Sequence, residues 1–157
     1  MPSVLFVCTA NQIRSPMAAA MLKALLTPEE AGDWRVESAG TWAQNGLPAS
    51  RVAQRVMRER GLDISNHRTR CVSAELLGEF DVILVMERNH LEALQAEFPA
   101  LRGHMHLLSE LAGGMWDITD PVDESFDAVE ETAALLQAVL ARGWGRVAKW
   151  AGAGAGC

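Results

Sequence analysis

The sequence predicts an α/β fold, a three-layer sandwich in which a four-stranded parallel sheet is flanked by helices on both faces. Short apolar runs such as residues 4–7 and 82–86 show no alternation of polar and apolar positions, which is typical of strands buried on both faces. These runs alternate along the chain with segments of helical periodicity. Strands that alternate with helices form parallel sheets covered on both sides, so we expect this architecture here.

The predicted elements can be justified in order. Strands are expected over residues 4–7, 34–38, 82–86 and 104–108, the last being the weakest. A first helix follows Ser15-Pro16 and runs over 17–26, where good helix formers dominate. Further helices are predicted over 48–60, which Gly61 ends, over 73–78, over 88–98, which Pro99 ends, and over 126–140, which carries one apolar stripe.

Composition excludes several classes of protein. The chain has 157 residues, a length that suits one domain, and we expect residues 1–150 to form it and 151–157 to be a flexible Gly/Ala tail. The formal charge of −6 gives no basic patch for nucleic acid, and no apolar run is long enough to span a membrane. The N-terminal apolar run begins the fold, so we expect no signal peptide.

The three cysteines, Cys8, Cys71 and Cys157, suggest neither a disulfide framework nor a metal site. Their number is odd, and no pair has metal-ligand spacing. We therefore expect reduced thiols, a cytoplasmic location, and no metal or cofactor.

Residues 8–16 are the most informative part of the chain. Cys8 directly follows the first strand, Arg14 stands six positions later, and Ser15-Pro16 opens a helix. Such a loop can wrap its backbone N–H groups around a phosphate-sized anion, as helix N-termini do. The helix dipole and the guanidinium favour the thiolate, which is the nucleophilic form. We predict a phosphate-binding loop formed by Thr9, Ala10, Asn11, Gln12, Ile13, Arg14 and Ser15, with Cys8 beneath the anion.

Attack of a thiolate on a phosphate ester also requires an acid for the leaving group. Asp120, in Thr119-Asp120-Pro121 before the last helix, is the best candidate. Proline stiffens the loop and can aim this carboxyl inward. The dipeptide alone leaves open a simpler interpretation, in which Asp120 only caps the start of a helix.

The chain resembles the low-molecular-weight protein tyrosine phosphatase family over residues 3 to 142. The resemblance rests on the segment from Val4 to Ala18 and on the segments Glu37-Ser38-Ala39-Gly40-Thr41, His67-Arg68-Thr69-Arg70, Asp81-Val82-Ile83-Leu84-Val85-Met86-Glu87 and Asp120-Pro121. These segments occur in the order and at the spacing of the family.

The resemblance implies a metal-free reaction in two steps. Cys8 would form a phosphocysteine, Arg14 would hold the equatorial oxygens, and Asp120 would protonate the departing oxygen and later assist water. The resemblance further implies a network that supports the loop, formed by Asn11, Ser15, Ser38 and His67. Phosphorylated proteins would be the substrates, and we expect a monomer or a weak dimer.

Two loop positions depart from the family. Many relatives carry a second cysteine just before the arginine, and here that place holds Ile13, so a protective disulfide within the loop is impossible. Gln12 stands where tyrosine-specific relatives often have isoleucine and an arginine-phosphate-specific branch has threonine.

The substrate cleft departs as well, because the aromatic residues that often follow Asp-Pro in relatives are absent here. The expected cleft residues are Gln12, Trp42, Val122 and Asp123. Trp42 would form one wall, and Asp123 would tolerate a cationic substrate group.

The leading function is hydrolysis of protein phosphotyrosine, and three alternatives stay open. Hydrolysis of protein phosphoarginine would use the same scaffold. Reduction of arsenate with an external small thiol would need only Cys8. A phosphate-binding regulatory module would need no catalysis, but Cys8, Arg14 and Asp120 are all present, which favours an enzyme.

Overall fold

The structure, a computed structural model, describes residues 1–121 and 123–152. Four strands form one sheet: β1 (Ser3–Cys8), β2 (Arg35–Gly40), β3 (Val82–Val85) and β4 (Met105–Leu107). Their order is β2-β1-β3-β4, and every pairing is parallel. The predicted four-stranded parallel sheet is therefore confirmed.

The central strands are buried on both faces, as their uninterrupted apolar sequence predicts. Every residue of β1 and β3 is buried. Side chains point alternately to the two faces, so Val4, Phe6 and Cys8 join one apolar core while Leu5 and Val7 join the other. The sheet thus separates two cores, each of which needs a cover of helices.

The described part of the chain has six α-helices: α1 (Arg14–Leu25), α2 (Pro28–Asp33), α3 (Arg51–Glu59), α4 (Ala74–Leu77), α5 (Arg88–Glu97) and α6 (Phe126–Trp150). All of them except α2 contribute buried residues to these covers. Helices α1, α3 and α6 pack together over one face, with a 3₁₀ helix, Leu108–Ala112, against α6. Helices α4 and α5 cover the other face with a second 3₁₀ helix, Pro99–His104. The three-layer sandwich is confirmed.

Helix α6 continues ten residues beyond the predicted end at Leu140. Tertiary contacts explain the extension. The ring of Trp144 packs on Trp34 with centroids 4.9 Å apart, and Val147 is fully buried. The ring of Trp150 stacks on His106 of β4 at 3.9 Å.

Helix α2 is absent from the sequence-based prediction, although its start carries a recognisable signal. Thr27 and Glu30 form a reciprocal capping box, and Pro28 occupies the first helical position. The helix buries none of its residues, so its sequence has no apolar stripe that would indicate a helix.

The topology places Cys8 where such sheets bind ligands. Strand β1 lies between β2 and β3, so the two connections leave in opposite directions and open a crevice at the carboxyl end of β1. None of the helices in the described part of the chain has the length and apolar character needed to cross a membrane. Of the predicted tail over 151–157, residues 153–157 lie outside the described residues, as does Val122.

Candidate active site

Cys8 ends β1, and a short loop joins it to α1, which begins at Arg14. The thiol is buried, and its Sγ lies 3.0 Å from the hydroxyl oxygen of Ser15 in the first turn of α1. The residue that caps this helix, Ile13, offers no side-chain acceptor. The first N–H groups of α1 therefore remain available to an anion near the thiol.

Asn11 holds the loop from within. It is fully buried and has a φ of +61°, in the left-handed region that asparagine tolerates better than most residues. Its amide nitrogen donates to Ser15 Oγ at 2.8 Å and to Ser38 Oγ at 2.9 Å, and its amide oxygen accepts from the backbone N–H of Arg70 at 3.0 Å. One side chain thus joins the loop, helix α1 and strand β2.

His67 contacts the backbone of the same residue. Its Nε2 lies 2.7 Å from the backbone carbonyl of Asn11, and since a carbonyl only accepts, Nε2 carries the hydrogen. Burial lowers the pKa of His67 despite this hydrogen bond. The four residues expected to support the loop, Asn11, Ser15, Ser38 and His67, are thus brought together around Asn11.

The hydroxyl of Ser15 is suited to stabilise a thiolate. Its oxygen accepts from Asn11, so its own hydrogen is free to donate. The candidate acceptors are Cys8 Sγ at 3.0 Å and the Ala39 carbonyl at 3.4 Å, and the sulfur is the nearer one.

Gly40, at the end of β2, allows the strand to lie against the loop. The next two residues bind the loop backbone: the N–H of Thr41 donates to the Cys8 carbonyl at 2.8 Å, and that of Trp42 to the Thr9 carbonyl at 3.0 Å. A Cβ on Gly40 would lie 2.4 Å from the Thr9 carbonyl oxygen, closer than real Cβ atoms come. Only glycine fits here without displacing the loop.

Arg14 is 2% exposed, and two acceptors outside the loop fix its guanidinium. Its Nη1 donates to Glu87 Oε2 at 2.9 Å and to the Ile118 carbonyl at 2.8 Å. Glu87 lies two residues beyond the end of β3, so its carboxylate lies at the same edge of the sheet as Cys8. Sequence reasoning missed Glu87 as a site residue, although a charged residue straight after the strand predicted over 82–86 was a usable signal.

A second set of charges, also missed, lies behind the loop. The Glu37 carboxylate on β2 pairs with Arg35 and Arg70, and the Nε of Arg70 donates to the Ser38 carbonyl at 3.1 Å. Burial alone would raise the pKa of Glu37, but hydrogen bonds from both arginines outweigh it and lower this pKa. Glu37 therefore stays ionised and orients Arg70, whose N–H binds Asn11.

Asp120 is exposed and lies on the loop that leads to α6. This loop is anchored beside the site, because the N–H of Ile118 donates to the Met86 carbonyl at 2.9 Å, next to the end of β3. The negative charge of Asp120 acts on His90, which touches the loop through Thr9. The carboxyl of Asp120 is thus open to solvent, on a loop that is anchored beside the end of β3.

Three of the four expected cleft residues, Gln12, Trp42 and Asp123, lie in the described part of the chain. Trp42 is 86% exposed although its backbone is bonded to Thr9, so its indole is free to contact a substrate. Asp123 is exposed as well, but its carboxylate accepts from the N–H of Ser125 at 3.0 Å, which lowers its pKa. The side chain of Gln12 reaches the Pro48 carbonyl at 3.4 Å.

Cys71 is too far from Cys8 to form a disulfide. Its backbone pairs with Gly40, which in turn pairs with Cys8, so the two cysteines lie two strand spacings apart, about 10 Å. Disulfides require Cα atoms within about 7 Å. Cys71 is exposed, whereas Cys8 is buried.

A cleft of about 660 Å³ lies behind the phosphate loop. It is lined by α1 and by supporting residues such as Ser38, His67 and Arg70, and by none of residues 8–15. This cleft is therefore separate from the loop that carries Cys8.

Comparison with known proteins agrees with this geometry. The family model described as "Low molecular weight phosphotyrosine protein phosphatase" matches residues 3–149. A curated relative, the low molecular weight protein-tyrosine-phosphatase Wzb of Salmonella typhimurium, is 37% identical over 145 residues, which cover 90% of each chain.

Solved structures show the same fold. The YwlE arginine phosphatase of Geobacillus stearothermophilus superposes with a TM-score of 0.86 at 29% identity, covering 95% of this chain and 94% of that one. The tyrosine phosphatase AmsI of Erwinia amylovora gives 0.82 at 30% identity, covering 92% and 91%. The resemblance seen in the sequence is confirmed, and the chain belongs to the low molecular weight phosphotyrosine protein phosphatase family.

Proposed function

We propose that this protein hydrolyses phosphotyrosine in protein substrates through a phosphocysteine intermediate. The observation that carries the proposal is the position of the Cys8 sulfur. It lies at the end of β1, 3.0 Å from a hydroxyl that is free to donate, beneath the uncapped start of α1. A thiolate there faces the same N–H groups that bind the oxygens of a phosphate.

In the first step, the phosphoryl group of the substrate binds to the N–H groups of the loop over residues 9–15 and to the guanidinium of Arg14. The Glu87 carboxylate and the Ile118 carbonyl hold Nη1 of that arginine, so the fork is oriented before substrate arrives. The thiolate of Cys8 attacks phosphorus, and a sulfur–phosphorus bond forms as the phosphorus–oxygen bond to tyrosine breaks. Asp120 gives its proton to the phenolic oxygen as it leaves.

In the second step, water attacks the phosphocysteine. Asp120, now ionised, takes a proton from that water, and the electron pair of the sulfur–phosphorus bond returns to Cys8. Inorganic phosphate leaves. The N–H groups and Arg14 stabilise the charge on the equatorial oxygens in both transition states, which is where preorganised donors contribute most. The reaction needs no metal or cofactor.

Phosphorylated proteins are the proposed partners. Trp42 offers an exposed indole at the rim, on which a phenyl ring can stack. We propose that the enzyme acts as a monomer or weak dimer, and in the cytoplasm, because its chemistry requires a reduced thiol.

Phosphoarginine is a second candidate group, favoured by the superposition on the YwlE arginine phosphatase. An acidic residue at the mouth would suit its guanidinium, but the Asp123 carboxylate is engaged by the N–H of Ser125. Kinetics on matched phosphotyrosine and phosphoarginine peptides separate the two candidates. We expect the higher kcat/KM on phosphotyrosine, and the opposite ranking would overturn that substrate assignment while leaving the thiolate mechanism intact.

The mechanism itself is tested by three variants. Cys8→Ser should abolish turnover and retain substrate binding, whereas Cys71→Ser, a change at an exposed cysteine outside the loop, should leave turnover unchanged. Asp120→Asn should slow hydrolysis by roughly 100-fold or more, as expected for a lost general acid. Substantial turnover by Cys8→Ser, or normal turnover by Asp120→Asn, would contradict the assigned role.

A further inference from the structure

His90 is a buried histidine that the mechanism above does not use. It is the third residue of α5 and is 5% exposed. Its Nε2 lies 2.8 Å from Thr9 Oγ1, and Thr9 directly follows Cys8 in the loop. A titratable ring thus contacts the phosphate loop from the α5 side of the sheet.

Four side chains close into a ring of polar contacts beside Cys8. His90 Nε2 also lies 3.5 Å from Glu87 Oε2, the same oxygen that accepts from Arg14 Nη1 at 2.9 Å. Arg14 Nη2 in turn lies 3.5 Å from Thr9 Oγ1. We call this set, Thr9, His90, Glu87 and Arg14, the polar ring.

The contacts decide which nitrogen of His90 carries the hydrogen. Nε2 faces a carboxylate oxygen of Glu87 and the hydroxyl oxygen of Thr9, and the carboxylate can only accept. Nδ1 is buried and has no hydrogen-bond partner among the described residues. A hydrogen on Nδ1 would be an unsatisfied buried donor, so the neutral ring carries its hydrogen on Nε2.

This tautomer fixes the direction of the Thr9 hydroxyl. Thr9 Oγ1 accepts from His90 Nε2 and faces Arg14 Nη2 as a second donor, so its own hydrogen points away from both. Thr9 is half-buried. The guanidinium that faces its hydroxyl is the one proposed to hold the phosphoryl oxygens, so an anion bound to Arg14 lies close to this hydroxyl. We propose that His90 is a positioning residue, which holds the Thr9 hydroxyl as a hydrogen-bond donor to the phosphoryl group bound at Cys8.

Protonation of His90 would undo this arrangement. The new hydrogen on Nδ1 has no acceptor in the described part of the chain, and the added charge draws Glu87 away from Arg14. Burial lowers the pKa of His90 from its ordinary value near 6.5; the charges of Glu87, Asp117 and Asp120 raise it, and that of Arg14 lowers it. The neutral form therefore dominates at neutral pH, and the polar ring loses its order only in acid.

A mutant cycle on an aryl phosphate tests the coupling. Thr9→Val removes the hydroxyl with little change of shape, and His90→Leu removes the donor. We expect each to lower kcat and to weaken vanadate binding by about tenfold, the effect of one hydrogen bond to a charged group. The double variant should lose no more than either single one, because both remove the same interaction.

Conservative variants separate positioning from packing. Thr9→Ser keeps the hydroxyl and should retain kcat within about threefold. His90→Gln places an amide N–H near the position of Nε2 and does not titrate. This variant should match the wild-type kcat at pH 7.5. Below pH 6.5, where the wild type loses activity as His90 is protonated, the kcat of His90→Gln should fall less than that of the wild type.

Three results would overturn the proposal: unchanged kcat and vanadate affinity in Thr9→Val, additive losses in the double variant, or superimposable pH profiles of kcat for wild type and His90→Gln. If His90→Leu does not fold, the test rests on Thr9→Val and on the pH profile of His90→Gln, because the glutamine keeps the donor and cannot serve in the cycle. This proposal depends on the proposed function in one respect, which is the attack of Cys8 on the phosphoryl group. All variants keep Cys8, so an active Cys8→Ser would refute that function separately.

Discussion

Substitution of Gly40 by alanine should damage the phosphate loop, although Gly40 itself is not one of the residues proposed to bind substrate. The added Cβ would lie 2.4 Å from the Thr9 carbonyl oxygen, 2.8 Å from the Ala43 Cβ and 3.1 Å from the Asn11 nitrogen. Ordinary contact begins at 3.4 Å, so the Thr9 carbonyl must move by about 1 Å. A misplacement of that size can cost about 100-fold in rate, or about 2.7 kcal/mol of activation free energy.

The assay is kcat on an aryl phosphate, with vanadate affinity and the urea unfolding midpoint measured on the same samples. We expect kcat to fall by about 100-fold and the free energy of unfolding by about 1–3 kcal/mol, the usual cost of overpacking. Gly103→Ala is the matched control, since nothing lies within 4 Å of its added Cβ. A folded Gly40→Ala with kcat within threefold of wild type would refute the reasoning.

Three further predictions concern stability and substrate choice. Asn11→Ala should lower the free energy of unfolding by about 3 kcal/mol, because it removes the three hydrogen bonds of a fully buried side chain. Asn11→Gly removes the same bonds but suits the φ of +61°, so it should be less destabilising in urea unfolding, and equal losses would contradict the strain assigned to that φ. Trp42→Ala should raise KM for a phosphotyrosine peptide by about three- to tenfold, the value of ring stacking, and leave inhibition by inorganic phosphate unchanged. Burial lowers the pKa of His67, His90 and His106, so the folded state binds fewer protons than the unfolded state in acid. The free energy of unfolding should therefore be constant above the unfolded value near 6.5 and decrease as pH falls below it, whereas equal values at pH 7.5 and 5.5 would contradict this burial effect.

The strands and the Cys8 loop could be predicted because their signals are local. Uninterrupted apolar runs marked β1 and β3, and the spacing from Cys8 to Arg14 placed a thiol, a guanidinium and a helix start in one loop. Both signals lie within fewer than ten residues. Interactions between residues that are close in sequence are therefore enough to predict these strands and this loop.

The partners of Arg14 could not be predicted in this way. Glu87 lies 73 positions from Arg14, and the Ile118 carbonyl lies 104 positions away. Only the strand order brings them to one edge of the sheet. The role proposed for His90 likewise depends on the packing of α5 against the loop, and no local sequence pattern predicts that packing.

The predicted end of α6 was wrong for a different reason. Gly143 and Gly145 are poor helix formers, so the intrinsic propensity falls after Leu140. In the structure a Cβ on Gly143 would lie 2.3 Å from the Leu111 Cβ. The glycine lets the helix approach the 3₁₀ helix closely, and the packing this allows outweighs the weak propensity.

The C-terminal ten residues of α6 have a practical consequence for the integrity of the enzyme. They carry Trp144 and Trp150, two of the five tryptophans of the chain. A protease that clipped the chain just after Leu140 would release both indoles and strip the cover from Trp34 and His106. Intrinsic fluorescence would therefore report such damage directly, although the cut is remote in sequence from the nucleophilic sulfur.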